Sequence, residues 1–386
     1  MSAPPSRLAI VRAWGRIGCL GFGGPPAHVA MLRALCVDQQ GWLTAEEFEH
    51  GVTATNLLPG PASTQLAVYC AWRVGGQPGA VLGGLAFILP GLVMIIALAA
   101  IMLGHPPLWI KGAGAGAGAA VAAVAVHAGA GLLRPSLGRA VGRAERTRWL
   151  AYLVAGGVST TLLGPWLVLV LLGCGAIELV ARRPIGAPLL GTGGPGLVHG
   201  AIAAATATGG LLALVWTAFK VGALSYGGGF VIVPMMEHDA VQRFHWLSSG
   251  EFASAVALGQ VTPGPVTHTV AAVGYGAHGI SGALLAASVA FLPSFSFIAF
   301  GAERFERLVR NPRAQAFMAG AGPAAIGAII GSAVPLAASA SQAWQLIVLA
   351  AAAALLLVLR RGVVTTLLAA AGAGVICALA GAPVPG

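Results

Sequence analysis

The stretch TNLLPGPASTQ, Thr55 to Gln65, returns as GQVTPGPVTHT 204 residues later, with Pro59, Gly60 and Pro61 falling on Pro263, Gly264 and Pro265. The same displacement holds without a gap from Gly18 on Gly222 to Phe87 on Phe291. Under it Trp42-Leu43 meets Trp246-Leu247, and Glu47-Phe48 meets Glu251-Phe252. Unrelated apolar segments do not share Trp, Glu and both prolines in one register. The chain therefore reads as two homologous halves, 1–190 and 200–386, joined by the Gly/Pro-rich linker at about 182–199.

What surrounds the repeat is apolar. Of 386 residues, 57% are hydrophobic and 8% charged, with a mean hydropathy of +0.86, against roughly 25% charged in soluble domains. This composition predicts an all-α polytopic membrane protein whose medium is the lipid bilayer. A net charge of +10 would suggest nucleic acid in a soluble chain, but here the arginines cluster between apolar runs, as the positive-inside rule requires. Nucleic acid is excluded as a partner on that ground. The opening MSAPPSRLAIVRAWGRIG reads as no cleavable signal, because Arg12 and Arg16 interrupt its apolar run. Cys19, Cys36, Cys70, Cys174 and Cys377 lie in apolar stretches without CxxC spacing. They read as small core residues and predict neither a disulfide nor a metal site.

Apolar spans are expected at about 78–103, 106–133, 149–164 and 165–181, and again at about 279–300, 314–340, 343–359 and 362–382. In the first half only Lys111 follows the first of these spans, and the next loop holds Arg134, Arg139, Arg143, Arg146 and Arg148. In the second half Arg304, Arg307, Arg310 and Arg313 already follow the first span, and the next loop is uncharged. The basic loops are shifted by one span. With arginines held on the cytoplasmic side, matching segments cross in opposite directions, the inverted-topology repeat of secondary transporters.

Proline geometry locates the breaks. Pro61 fits the first turn of a helix, and Pro59 disfavours helix at Leu58, so one helix ends near Leu57 and another begins at Pro61. Gly23-Gly24 before Pro25, and Gly227-Gly228 in the second half, free the backbone in the same way. Broken or re-entrant helices at membrane depth are tolerated where they line a cavity or are buried in protein. Their N-terminal ends favour an anion.

Neighbouring side chains suit an oxyanion. Ser63 and Thr64 follow the first break, Thr267 and His268 the second, and Asn56 aligns with Gln260 just ahead of each. Gly60 and Gly264 would let an anion approach the backbone. Two helix ends supply about +1, so a tetrahedral dianion leaves about one charge to be matched. The aligned pair Arg16 and Lys220 are the candidate cations, with Arg73 a third. Each has a plainer alternative: the cations at the membrane interface, the amides satisfying broken backbone, and Glu47 and Glu251 closing capping boxes with Thr44 and Ser248 rather than serving a coupling ion. His268 could donate one hydrogen bond when neutral, or couple binding to pH when charged.

The motifs GFGGPPAH, GWLTAEEF, TNLLPGPASTQLAVY and GLAFILPG, with LSYGGGFVIVPMM, HWLSSGEF and ALGQVTPGPVTHT in the second half, resemble the chromate ion transporter family in its long, two-domain form. That resemblance implies export of chromate across the inner (plasma) membrane, chromate resistance, competition by sulfate, and halves of opposite orientation. Protons as the exchanged ion and a homodimer are compatible with it; a cofactor or metal is not expected. His268 stands where the family more often has an aliphatic residue, and FLPSF is one residue out of step with FILPG. A sulfate or other oxyanion importer, or a channel, would use the same residues. An enzyme is disfavoured, since no DxxD, HExxH or nucleophile elbow lies beside the spans.

Overall fold

The computed structural model describes residues 5–57, 60–104, 106–162, 167–182, 209–225, 232–309 and 311–384, and their side chains except those of 56–57 and 299–309. Every element in them is helical: α1 (Arg7–Leu20), α2 (Pro25–Arg33), α3 (Ala45–Leu57), α4 (Ala62–Leu103), α5 (Leu108–Leu137), α6 (Arg143–Leu162) and α7 (Leu167–Ala181), then α8 (Leu211–Leu224), α9 (Ile232–Glu237), α10 (Ser249–Val261), α11 (Thr269–Val309), α12 (Pro312–Gly331), α13 (Ala333–Ala338), α14 (Ala343–Ala353) and α15 (Val363–Leu379). The displacement of 204 seen in the sequence reappears in the element boundaries. It carries α1 onto α8, α3 onto α10, and the π-helical run Ala34–Gln39 onto His238–Arg243. It also carries the start of α5 onto the start of α12. Thr44 and Glu47 close one capping box, and Ser248 and Glu251 the matching one, with backbone N–H donors at 2.7–3.2 Å. Glu47 also pairs with Arg73, so the third candidate cation is held by a helix-capping carboxylate.

Among the described residues four stretches, Ala62–Leu103, Leu108–Leu137, Val266–Ile298 and Pro312–Ala338, are long and apolar enough to cross a membrane. Shorter apolar helices lie at Leu167–Ala181, Leu211–Leu224, Ala343–Val358 and Val363–Leu379. The chain is a helical membrane protein. Two of its long helices are not continuous. At Gly76 (φ 63°, ψ −156°) and Gly279 (φ 61°, ψ −149°) the backbone leaves helical geometry. A Cβ built on Gly84 would come within 2.9 Å of Val68 Cγ2, and one on Gly274 within 2.8 Å of Ala286 Cβ. In a straight helix, residues sixteen and twelve apart are about 24 and 18 Å apart. The chain therefore doubles back at both glycines, and the spans expected from about 78 and 279 begin there.

The repeats interlock rather than sit side by side. Within each, the first helix packs on the long one, α1 on α4 and α8 on α11, and α4 packs against α11 at the centre. Beyond that the halves exchange elements: α5 lies against α10, α14 and α15, and its counterpart α12 lies against α6 and α7. Small residues make these crossings close. Gly112 and Gly116 on α5 meet the backbone of Gly374 and Ala370 on α15, and a Cβ on Gly112 would stand 2.6 Å from the Gly374 carbonyl. Between lipid-facing helices no water-driven burial favours association, so close van der Waals approach through small residues supplies it.

This packing makes a paired prediction. Gly374→Leu drives a side chain into the backbone of Gly112, so the detergent-solubilised protein should lose about 3 kcal/mol or more of stability. Gly372→Leu, two residues away with nothing within 4 Å, should be neutral within about 0.5 kcal/mol. Equal melting behaviour of the two variants in a thermal-shift assay would contradict the α5–α15 packing.

Candidate functional site

Both Pro-Gly-Pro motifs interrupt helices as the proline chemistry requires. α3 ends at Leu57, Gly60 is left-handed (φ 124°), and Pro61 caps α4. α10 ends at Val261, Gly264 is left-handed (φ 94°), and Pro265 leads through a single 3₁₀ turn, Val266–His268, into α11. Gly23 and Gly24 are also left-handed (φ 101° and 73°), and Pro25 opens α2. Gly227 and Gly228 lie outside the described residues, as does the Asn56 side chain.

The broken backbone is satisfied across the repeat. Gly60 N–H donates to the Ser225 carbonyl at 2.7 Å, and Gly264 N–H donates to the Gly21 carbonyl at 3.0 Å. These are one interaction made twice, since 204 residues separate Gly60 from Gly264 and Gly21 from Ser225. Gly21 and Ser225 close the C-termini of α1 and α8. The two N–H groups that the sequence offered to an anion are therefore already bonded. A Cβ on Gly264 would meet His268 Cε1 at 3.0 Å and Phe87 O at 3.7 Å, so any side chain there would be crowded as well as conformationally strained.

Around this exchange the structure collects buried side-chain atoms with no hydrogen-bond partner: Thr64 Oγ1, Ser225 Oγ, Gln260 Nε2 and His28 Nδ1; the ring nitrogens of His268 make no well-aligned hydrogen bond, although the Ile88 and Pro263 backbone is within reach. Thr64 and His268 hold equivalent places, three residues after Pro61 and Pro265, and each is fully buried, with buried Ser63 and Thr267 beside them. His268 stands edge-on to Phe291 (centroids 5.4 Å), as His28 does to the equivalent Phe87 (5.1 Å). His28 Nε2 donates to the Gly21 carbonyl at 2.8 Å, the acceptor Gly264 already uses, and burial pushes this imidazole below its usual pKa. An unpaired buried polar group costs about 1–3 kcal/mol, and native structures hold few. Their concentration at the breaks marks a place where a ligand or water would complete the bonding. Hydroxyl, amide and imidazole N–H groups donate; no carboxylate is among them.

Sequence reasoning reached Thr64, Gln260 and His268 but missed Ser225 and His28. Ser225 was within reach, since it aligns with Gly21 at the start of the Gly-rich segment. The cations differ from expectation. Arg16 is exposed on the outer side of α1, whose buried residues are Ile10, Trp14, Ile17 and Gly18, so the structure does not bring it to the breaks. Lys220 Nζ is held by Asp239 Oδ2 at 2.5 Å, and Thr217 Oγ1 donates to the same oxygen at 2.7 Å. That carboxylate is buried, 2% exposed. Among the described residues no group of three or more His, Cys, Asp or Glu could hold a metal ion.

The sequence profile of the chromate transporter family matches residues 8–179 and again residues 212–377. The chain is 32% identical over 331 residues to a chromate transport protein of Cupriavidus metallidurans, covering 83% of this chain and 80% of that one. It is 32% identical over 335 residues to a probable chromate transport protein of Synechococcus elongatus, covering 83% and 82%. A chromate transport protein of Pseudomonas aeruginosa is 29% identical over 339 residues, covering 83% and 79%. No solved structure matches.

One titratable group next to this region gives a pH test. Glu237 ends α9, a helix too short to cross a membrane, and burial pushes its carboxyl up to about 7. Between its reference value of 4.5 and about 7 the native protein holds a proton that the unfolded chain releases, so stability falls as pH rises through that window. Glu237→Gln removes the loss. The variant should match the parent near pH 4 and exceed it above pH 7 by on the order of 3 kcal/mol. Parallel stability curves for the two proteins from pH 4 to 8 would show that Glu237 is solvated instead.

Proposed function

This chain belongs to the chromate transporter family, and from that premise we propose that it carries chromate across the cytoplasmic membrane as a secondary transporter, with the paired helix breaks as its binding site. The observation that carries the reading is the set of buried, unpaired donors at those breaks, Thr64, Ser225 and Gln260, with the His268 ring beside them. A chromate dianion presents four oxygens, all acceptors, and matches such a set better than any cation or amphiphile. The first-turn amides of α4 beside Ser63, and those beside Thr267, have no side-chain cap and add the positive end of each helix. Gly23-Gly24, Gly227-Gly228 and Asn56 complete the lining on this reading. Arg16 stays outside it.

The remaining elements of the proposal concern direction and coupling. The two repeats, 1–190 and 200–386, are placed in opposite orientations with the arginine-rich loops in the cytoplasm, and the transport is export that confers chromate resistance. Protons are the exchanged ion. Sulfate, of the same shape and charge, competes.

Everted vesicles given external radiolabelled chromate or sulfate, with and without an imposed proton gradient, test the transport. Uptake of chromate driven by the gradient is the expected result; gradient-independent flux would indicate a channel. Thr64→Val keeps the shape and removes the hydroxyl, and His268→Leu removes both ring nitrogens. Each should raise the chromate KM more than tenfold, equivalent to about 1.4 kcal/mol. Parental KM values in both variants would move the binding site away from the breaks. For orientation, single cysteines at Ala144 and Pro107 should label from opposite faces of the membrane, and labelling from one face would refute the proposed topology.

A further inference from the structure

A cleft of about 610 Å³, not absorbed by this reading, runs from the first break to the arginine-rich loop between α5 and α6. Gly60 and Ala62 line its deep end, and Arg139, Ala140 and Arg182 line its mouth. Its charge is set by an ion-pair network. Glu178, its carboxylate only 3% exposed, accepts from Arg148 Nε at 2.7 Å, from Arg182 Nε at 2.7 Å and from the Tyr152 hydroxyl at 3.0 Å. Arg182 also reaches Glu145 at 3.4 Å. Arg148 does not line the cleft, yet it already balances Glu178, which leaves Arg182 to be shared with Glu145. Arg139 donates through Nε to the Pro135 carbonyl at 3.3 Å and has no carboxylate partner among the described residues. Three guanidinium groups against two carboxylates leave the mouth positive by one charge, and low-dielectric walls focus that field into the cleft.

We infer that this cleft is an access vestibule with its own oxyanion site, in which Arg139 and Arg182 hold a tetrahedral dianion before it reaches Gly60. Planar guanidinium forks match the paired oxygens of such an anion. Glu178, which also lines the cleft, fixes Arg182 against the wall. The inference rests on the transport reading above but places a second site, nearer the basic loop.

The test uses a parent in which exposed Cys19 and half-buried Cys377 are replaced by Ala and the buried cysteines are kept. Ala140→Cys at the mouth and Ala62→Cys at the deep end are each labelled with an anionic and a cationic methanethiosulfonate reagent. Sulfate serves as the protecting dianion because chromate would oxidise the thiol. The anionic reagent should react preferentially at both positions. Adding Arg139→Gln should cut the anionic-to-cationic ratio about fivefold, the factor for one unit charge roughly 8 Å away in water acting with opposite sign on the two reagents. Arg139→Lys should restore it. Sulfate should slow labelling of Ala140→Cys in the parent, and also in a Thr64→Val background whose inner site is impaired. A ratio unchanged by Arg139→Gln, or labelling indifferent to sulfate, in a parent that still transports chromate overturns the vestibule and leaves the transport reading standing. A parent that carries neither oxyanion removes the transport reading, and the vestibule's role with it.

Discussion

Two hydrogen bonds organise this molecule: Gly60 N–H to the Ser225 carbonyl and Gly264 N–H to the Gly21 carbonyl. A helix interrupted among apolar neighbours frees backbone groups that have no water to turn to, and each left unpaired would cost several kcal/mol. Here each interruption is satisfied by the end of a helix in the other repeat. Neither half can close its own break, so the halves must be built into one another. The exchange of α5 and α12 between the repeats extends the same dependence through the rest of the bundle. The glycines are fixed by it, since the amide must point across the interface while the backbone sits at φ 124° and 94°.

What remains open after that exchange is polar but not charged. Hydroxyls, an amide and an imidazole are buried without partners, and the nearest described cation on α8, Lys220, is held by Asp239. A fully desolvated dianion could not be held by such a set alone, because the Born cost of burying charge runs to tens of kcal/mol. Two helix N-termini recover about one unit of charge. On the transport reading, the balance comes from retained hydration or from a cation that moves into the site.

Much of this was legible because the repeat is gapless. Pro59-Gly60-Pro61 and its copy fixed where helices end, and the capping boxes at Thr44 and Ser248 fixed where α3 and α10 begin. The partners of the breaks were not legible, since an N–H freed at Gly60 could be taken by any carbonyl the fold brings near. Arg16 shows a different failure. Aligning it with Lys220 treated the two halves as equal, although Trp14, Ile17 and Gly18 already define the buried face of α1 and leave Arg16 off it. Comparing the halves also hid what only one of them has: Asp239 aligns with Leu35 and Glu237 with Arg33, so neither acid drew notice.

Those differences carry the argument further than the similarities. Two identical repeats tied by identical bonds would have no reason to prefer one arrangement of the pair over its mirror arrangement, and a ligand would shift nothing that it met equally in both. Thr64 against His268, a half-buried Lys220 paired with buried Asp239 against exposed Arg16 and half-buried Leu35, and protonatable Glu237 against Arg33 break that equality. All three lie on or next to the elements that meet at the breaks, and all three put the titratable group in the second repeat. On the transport reading, the first repeat supplies the Thr64 hydroxyl and the His28 imidazole, whereas the second supplies His268 and the Lys220–Asp239 pair.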